Sequence, residues 1–239
     1  LVVSISQRRN IITLYQGSLR YALKEIGVIL TKANQAIQTL ERYRVVLNQS
    51  LTNLSASEFE ELVTIPEVVN VIQRVEMVLR IKKEIKRYIN ELGNEGRLIS
   101  MQMDELVSNM EEEAWLLYAD YAREYSEEKI REIILALKRS TDEELLDIHH
   151  IVRLLGYPAS AAASEEEILP RGYRILNKIP RLPNVIIRNL VDQFRDLSSI
   201  MSASIHELDE VDGIGEVRAR TIKEGLKRLQ EQVFIDRQI

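Results

Sequence analysis

The chain predicts a mainly α protein, and three observations carry that reading. Apolar residues recur at helical spacing through most of the 239 residues, glycine and proline are few (9 and 5), and acid-capped helix starts punctuate the pattern. Aromatic residues make up 5% of the chain, so its cores are expected to be aliphatic. There is no cysteine, which excludes disulfides, zinc knuckles and thiol catalysis, and fits a reducing cytoplasm. The net charge of −5 argues against a strong overall field for nucleic acid, so such binding would need a local patch. No signal peptide and no bilayer-spanning apolar run is evident.

Residues 1–16 are the exception to the helical pattern. Leu1–Ser6 and Ile11–Tyr15 are β-branched runs separated by the polar turn Gln7-Arg8-Arg9-Asn10, which predicts two strands. A lone hairpin is marginal in water. The pair is therefore expected to be the remnant of a larger upstream domain, the other reading being a hairpin packed on the helices. The chain opens on Leu1, not Met, and reads as a piece of a longer protein.

Residues 18–54 predict one long helix. Leu19, Leu23, Ile26, Leu30, Ala33, Ile37, Leu40, Arg44, Leu47, Leu51 and Leu54 follow alternating spacings of four and three, a heptad seam interrupted only by Arg44. At 1.5 Å per residue it would extend roughly 55 Å, a length suited to a spine. Arg44 is either a partner-specifying residue or a side chain whose stem passes the seam.

Ser57-Glu58-Phe59-Glu60 and Thr141-Asp142-Glu143-Glu144 have the capping-box pattern, and Thr64-Ile65-Pro66-Glu67 adds a first-turn proline. Further helices are expected after Thr64, over about 98–125, 127–139 and 142–155, packing as a bundle. His149 and His150 point about 100° apart on a helix and make a poor chelate, so they are expected to be ordinary bundle positions. Glu111-Glu112-Glu113 reads as a solvated face. Gly156-Tyr157-Pro158 closes the bundle and Ala159–Ser164 reads as a linker.

The last third contains an internal repeat. Residues 179–190 lie over 211–222 at an offset of 32, matching Ile179 with Val211, Leu182 with Ile214, Val185 with Val217 and Leu190 with Ile222. Each unit is expected to be helix, short hairpin, helix, the two burying each other's apolar faces. In the second unit, Gly213-Ile214-Gly215 precedes a basic helix start. Glycine at both places is expected to allow positive φ, and unpaired helix-start N–H groups suit a phosphate. The predicted contacts are Gly213, Ile214, Gly215, Val217, Arg218, Arg220 and Lys223, with Lys227 and Arg228 extending the patch. The first unit has Arg181 and Pro183 at the glycine positions, so it is expected to be mainly structural. The alternative is that Gly213-Ile214-Gly215 is only a tight interhelical turn. The pattern resembles the helix-hairpin-helix family of sequence-independent DNA binders.

A wider resemblance covers essentially the whole chain. Leu1–Gly17, Leu30–Glu41, Gln73–Ile81 and Val211–Leu229 are similar to the bacterial DisA family of diadenylate cyclases. That resemblance implies three parts: a cyclase-domain hairpin remnant at 1–17, a helical spine at 18–157 and a helix-hairpin-helix domain at 158–239. It implies a parent activity that condenses two ATP into cyclic di-AMP with Mg2+ or Mn2+. It also implies a homo-octamer, repression by branched DNA in a DNA-damage and repair checkpoint, and a cytoplasmic, nucleoid-associated place. It makes Ser6 and Arg8 nucleotide-proximal. The family's Asp-Gly-Ala and Arg-His-Arg signatures do not occur in this sequence. The polypeptide is therefore expected to be catalytically inactive by itself, without cofactor or metal of its own, and to be the DNA-binding and scanning portion. Two other expectations stay open: an oligomeric helical scaffold with an inert hairpin, and N-terminal strands that complete a cyclase supplied from elsewhere.

Overall fold

A computed structural model describes residues 2–163 and 165–237, with side chains from Gln16 onward. Twelve α-helices occur among the described residues: α1 Val2–Glu60, α2 Ile65–Leu92, α3 Arg97–Leu106, α4 Met110–Tyr121, α5 Glu127–Arg139, α6 Asp142–Leu146, α7 Ile148–Leu154, α8 Tyr173–Leu176, α9 Asn184–Phe194, α10 Leu197–Ser202, α11 Ile205–Asp209 and α12 Glu216–Arg237. The extended structure among them is one isolated bridge, between Thr64 and Glu167. The mainly α expectation therefore holds.

The strand reading of residues 1–16 does not. The backbone is helical from Val2, continuous with the rest of α1. A two-stranded hairpin leaves two open edges and needs further strands, whereas a helix satisfies its backbone groups locally. Ser6 and Arg8 fall on these first turns of α1, and their side chains lie outside the described ones.

The chain forms two compact units. One comprises residues 1–44 and 78–108; the other comprises 45–77 and 109–239. Both α1 and α2 contribute to each. The expected boundary at 157/158 falls inside the second unit.

In the first unit, the seam of α1 is buried at Ala33, Ile37 and Leu40, and α2 and α3 bury Val78, Ile85, Ile99 and Met103. Gly96 lies in a 3₁₀ turn, where an added Cβ would stand 3.1 Å from the Ile89 backbone. The seam's earlier positions Leu19, Leu23 and Ile26 are exposed. Arg44, in this unit, is half-buried.

In the second unit, α1 continues past the expected Leu54 because Leu54, Ala56, Glu58 and Phe59 are all buried there. Ser57 is consequently inside the helix and not its cap; its hydroxyl donates to Glu67 at 2.9 Å. The helix stops at Glu61, whose φ of 60° turns the chain. The helix expected over 98–125 is two helices, broken where Asn109 adopts the left-handed conformation with φ 62°. The expected helix over 142–155 is likewise broken at Asp147, whose carboxylate accepts from the His149 N–H and starts α7. The Thr141 capping box is present as expected. His150 Nε2 lies 2.9 Å from Ser140 Oγ and His149 Nδ1 3.2 Å from the Ala159 carbonyl, so the two rings serve different partners.

Candidate nucleic-acid interface

The internal repeat is carried by the backbone at the offset read in the sequence. α8 begins at Tyr173 and α11 at Ile205; α9 begins at Asn184 and α12 at Glu216; each pair is separated by 32 residues. The two hairpins between them share their hydrogen bonds. Leu182 N–H donates to Ile179 (3.3 Å) as Ile214 N–H donates to Val211 (2.9 Å). Ile187 N–H donates to Pro183 (3.1 Å) as Ala219 N–H donates to Gly215 (3.0 Å). Leu176 and Leu208, and Leu190 and Ile222, are fully buried at equivalent places.

Each hairpin turns on one left-handed residue. In the second it is Gly213, with φ 76°; in the first it is Arg181, with φ 63°. Gly213 is also crowded, since an added Cβ would come 2.8 Å from Ile186 Cδ1. The two hairpins thus back directly onto each other. Gly215 departs from expectation: its φ is not positive, and an added Cβ would meet nothing within 4 Å. It sits immediately before α12, where the backbone needs no left-handed residue. Its missing side chain instead leaves the helix start open.

At that start the N–H groups of Gly215, Glu216, Val217 and Arg218 have no backbone acceptor among the described residues. They carry the positive end of a 22-residue helix. The Val217 side chain is 81% exposed beside them. Ile214, in contrast, points into the core at 7% exposure and fixes the turn instead of meeting a ligand. The first hairpin offers less, because Pro183 has no N–H to give. An open groove of about 630 Å³ runs between the two turns, lined by Arg181 and Leu182 on one side and Gly215, Val217 and Arg218 on the other. α12 approaches the first turn closely at Gly225, where an added Cβ would lie 3.0 Å from Ile179 Cγ2.

The predicted cations are present but partly engaged. The Arg218 guanidinium folds back onto the Gly213 carbonyl. Arg220 pairs with Glu216 at 2.6 Å, and Lys223 Nζ donates to the Met201 carbonyl at 2.5 Å. Lys227 reaches Glu231 at 4.0 Å. The exposed ion pairs of Arg220 and Lys227 are weak, whereas Lys223 is half-buried.

Sequence reasoning missed how this module is anchored. Asp120, near the end of α4, is buried, and its carboxylate accepts three backbone N–H groups at the start of α8: Gly172 (2.8 Å), Tyr173 (2.7 Å) and Arg174 (2.9 Å). Arg171 reciprocates by donating to the carbonyls of Ala119 (3.0 Å), Asp120 (3.1 Å) and Arg123 (3.1 Å), where α4 ends. Arg174 is wholly buried; its guanidinium meets both carboxylate oxygens of Glu58, Ser55 Oγ (2.9 Å) and Glu113 Oε1 (3.3 Å). Tyr121 donates to Glu58 at 2.7 Å. Glu113 is therefore a partner of the anchor and not simply part of a solvated acidic face. Burial, and then the Glu58 charge, push the Asp120 carboxyl up to about 7, against the N–H donors and charge of Arg174. An acid inside the apolar run Tyr118-Ala119-Asp120-Tyr121-Ala122 was the available signal.

Comparison with known proteins follows this architecture. Residues 23–164 match the family model described as the DisA bacterial checkpoint controller linker region. A protein of Carboxydothermus hydrogenoformans named DNA integrity scanning protein DisA is 59% identical over 233 residues, covering 97% of this chain and 66% of the relative. Proteins with the same name from Bacillus cereus and Bacillus thuringiensis are 56% identical over 237 residues, covering 99% of this chain and 66% of each relative. The chain thus spans about two thirds of the length of the curated relatives it matches, just under that fraction. No helix among the described residues is long and apolar enough to cross a membrane. With the linker model matched over more than half its length and such identity along nearly all of it, the chain belongs to the DisA family.

Proposed function

We propose that this chain is the DNA-binding and scanning portion of a DisA-type diadenylate cyclase. The observation that carries the reading is the opening of α12: free N–H groups at Gly215–Arg218, at the positive end of a long helix and beside an open groove. One backbone phosphate fits there without any base being read, which suits scanning irrespective of sequence. Arg218, Arg220 and Lys223 supply side-chain charge by releasing their present partners. The relatives' printed name, a DNA integrity scanning protein, supports the same ligand class. Branched or junction DNA is the form such a sensor would read in DNA-damage surveillance.

In the parent protein, a cyclase domain preceding residues 1–17 would make cyclic di-AMP from two ATP with Mg2+ or Mn2+, in a cytoplasmic, nucleoid-associated octamer. Ser6 and Arg8 would lie near its nucleotide. The present chain lacks the Asp-Gly-Ala and Arg-His-Arg motifs and is inactive alone. Regulation would require two states of the assembly with different DNA affinity.

A gel shift with junction DNA at low salt tests the ligand. Arg218→Glu weakens binding with helicity intact; unchanged binding would sink the assignment. The exposed seam residues Leu19, Leu23 and Ile26 favour a second role as an oligomeric scaffold. Self-association in sedimentation without any DNA binding would replace the first reading by that one.

A further inference from the structure

The formal charge of −5 hides a strong segregation. The unit formed by residues 1–44 and 78–108 carries 13 Lys and Arg against 7 Asp and Glu, a net +6. The unit that contains the hairpins carries 19 against 30, a net −11. Within it, residues 171–239, which hold both hairpins, carry 12 Lys and Arg against 10 Asp and Glu, so the hairpin segment itself is only weakly positive. The hairpin cations are moreover drawn into local contacts, Arg220 to Glu216 and Lys223 to Met201.

In the first unit, α1 buries Ala33, Ile37 and Leu40. Arg20, Lys24, Lys32 and Arg42 stand on the opposite face within an arc of about 120°, at 3.6 residues per turn. All four are exposed. On α2, Lys83 and Lys86 are exposed and turned away from buried Ile85. None of these six makes an ion pair among the described residues; Arg42 donates only to the Gln38 carbonyl, at 3.3 Å. From Arg20 to Arg42 the row extends about 33 Å at 1.5 Å per residue. That is close to one turn of duplex, about 34 Å. Cations on long flexible stems, with no fixed array of base-reading groups, match a phosphate backbone and no particular sequence.

We propose that this cation row is a second, hairpin-independent contact for the backbone of duplex nucleic acid. It rests on the DNA-binding reading above and extends it. The hairpins supply a positioned phosphate grip, and the row adds electrostatic attraction to that of the weakly positive hairpin segment.

The test is a fluorescence-anisotropy titration of the full chain with a 30-base-pair duplex between 50 and 200 mM salt. The wild type is compared with K24Q/K32Q/R42Q/K83Q/K86Q and with Gly215→Asp. The neutralised residues are exposed, so helicity and melting temperature stay unchanged. The expected result is a weakening of about tenfold or more at 50 mM salt. The log–log salt slope should also fall by about two units or more, because each phosphate contact contributes about 0.9. Unchanged affinity and slope, with Gly215→Asp still abolishing binding, would overturn the row and leave the hairpin reading standing. A wild type that does not bind at 50 mM salt would overturn both. A variant that loses only self-association in sedimentation, with DNA affinity unchanged, would assign the row to a second copy of the chain and overturn the proposal.

Discussion

The two hairpins have one backbone and two chemistries. Both turn on a left-handed residue, both start a helix two residues after the next apolar position, and both expose a valine at the first turn, Val185 at 67% and Val217 at 81%. The first is tied into the bundle. Its leading helix α8 is capped by Asp120, its Arg174 is locked onto Glu58, and Arg188 of its following helix pairs with Glu127 at 3.0 Å. In the second, Arg237 near the far end of α12 pairs with Glu60 of α1 at 2.8 Å, while the turn itself presents N–H groups without a backbone acceptor. The repeat thus has one copy tied to the bundle at its turn and one whose helix start is left open. The difference lies at two positions, Arg181 against Gly213 and Pro183 against Gly215.

The largest expected effect breaks the anchoring side of that comparison. Glu58→Ala leaves the Arg174 charge buried beside only Glu113, and is expected to cost about 3–5 kcal/mol in chemical denaturation. A loss below about 1 kcal/mol would show that the first hairpin is held by apolar packing alone. The pH dependence of stability sharpens the same point. Asp120 has its folded pKa raised from 3.8 to about 7, so the native state binds the proton more tightly than the unfolded chain. Its contribution is fully present below about pH 4 and is lost as pH rises through about 7. Melting curves of the wild type should decline across that window relative to those of Asp120→Asn, which cannot titrate.

Glycine substitutions separate the roles within the second hairpin. Gly213→Ala puts a side chain at φ 76° and is expected to cost about 1–2 kcal/mol by thermal melting. Gly215→Ala meets open space at an ordinary φ and should stay within about 0.5 kcal/mol of wild type. Equal costs at the two would mean the turn is not the strained element. The smallest effect is expected in the first hairpin. Arg181→Gly relieves a left-handed side chain but adds unfolded-state freedom, giving a net gain of about 0–1 kcal/mol.

The repeat was legible in the sequence because it is written in local terms: apolar spacing, a glycine pair and a fixed offset of 32. The heptad seam was legible for the same reason from Ala33 onward, where its positions are buried except for half-buried Arg44 and Leu51. The anchor was not, since Asp120, Glu58 and Arg174 are far apart in the chain and acquire meaning only when α1, α4 and α8 meet. Helix ends were misplaced where a single residue decides them. Asn109 in the left-handed region and Asp147 as a cap interrupt runs that are apolar enough to continue. The N-terminal runs Leu1–Ser6 and Ile11–Tyr15 misled because β-branched composition reports a preference for sheet without supplying the sheet, and the backbone of Val2–Tyr15 is helical.

The central claim is that only the second hairpin grips a phosphate, and equivalent substitutions test it most directly. Gly215→Asp and Pro183→Asp place the same carboxylate at matching points of the two turns. In anisotropy titrations of the full chain with junction DNA at low salt, Gly215→Asp is expected to lose affinity by about tenfold or more, in line with the energy of charge-assisted hydrogen bonds to one phosphate. Pro183→Asp is expected to change it by less than about twofold. Equal losses in the two variants, or none in Gly215→Asp, would contradict the division of labour between the hairpins.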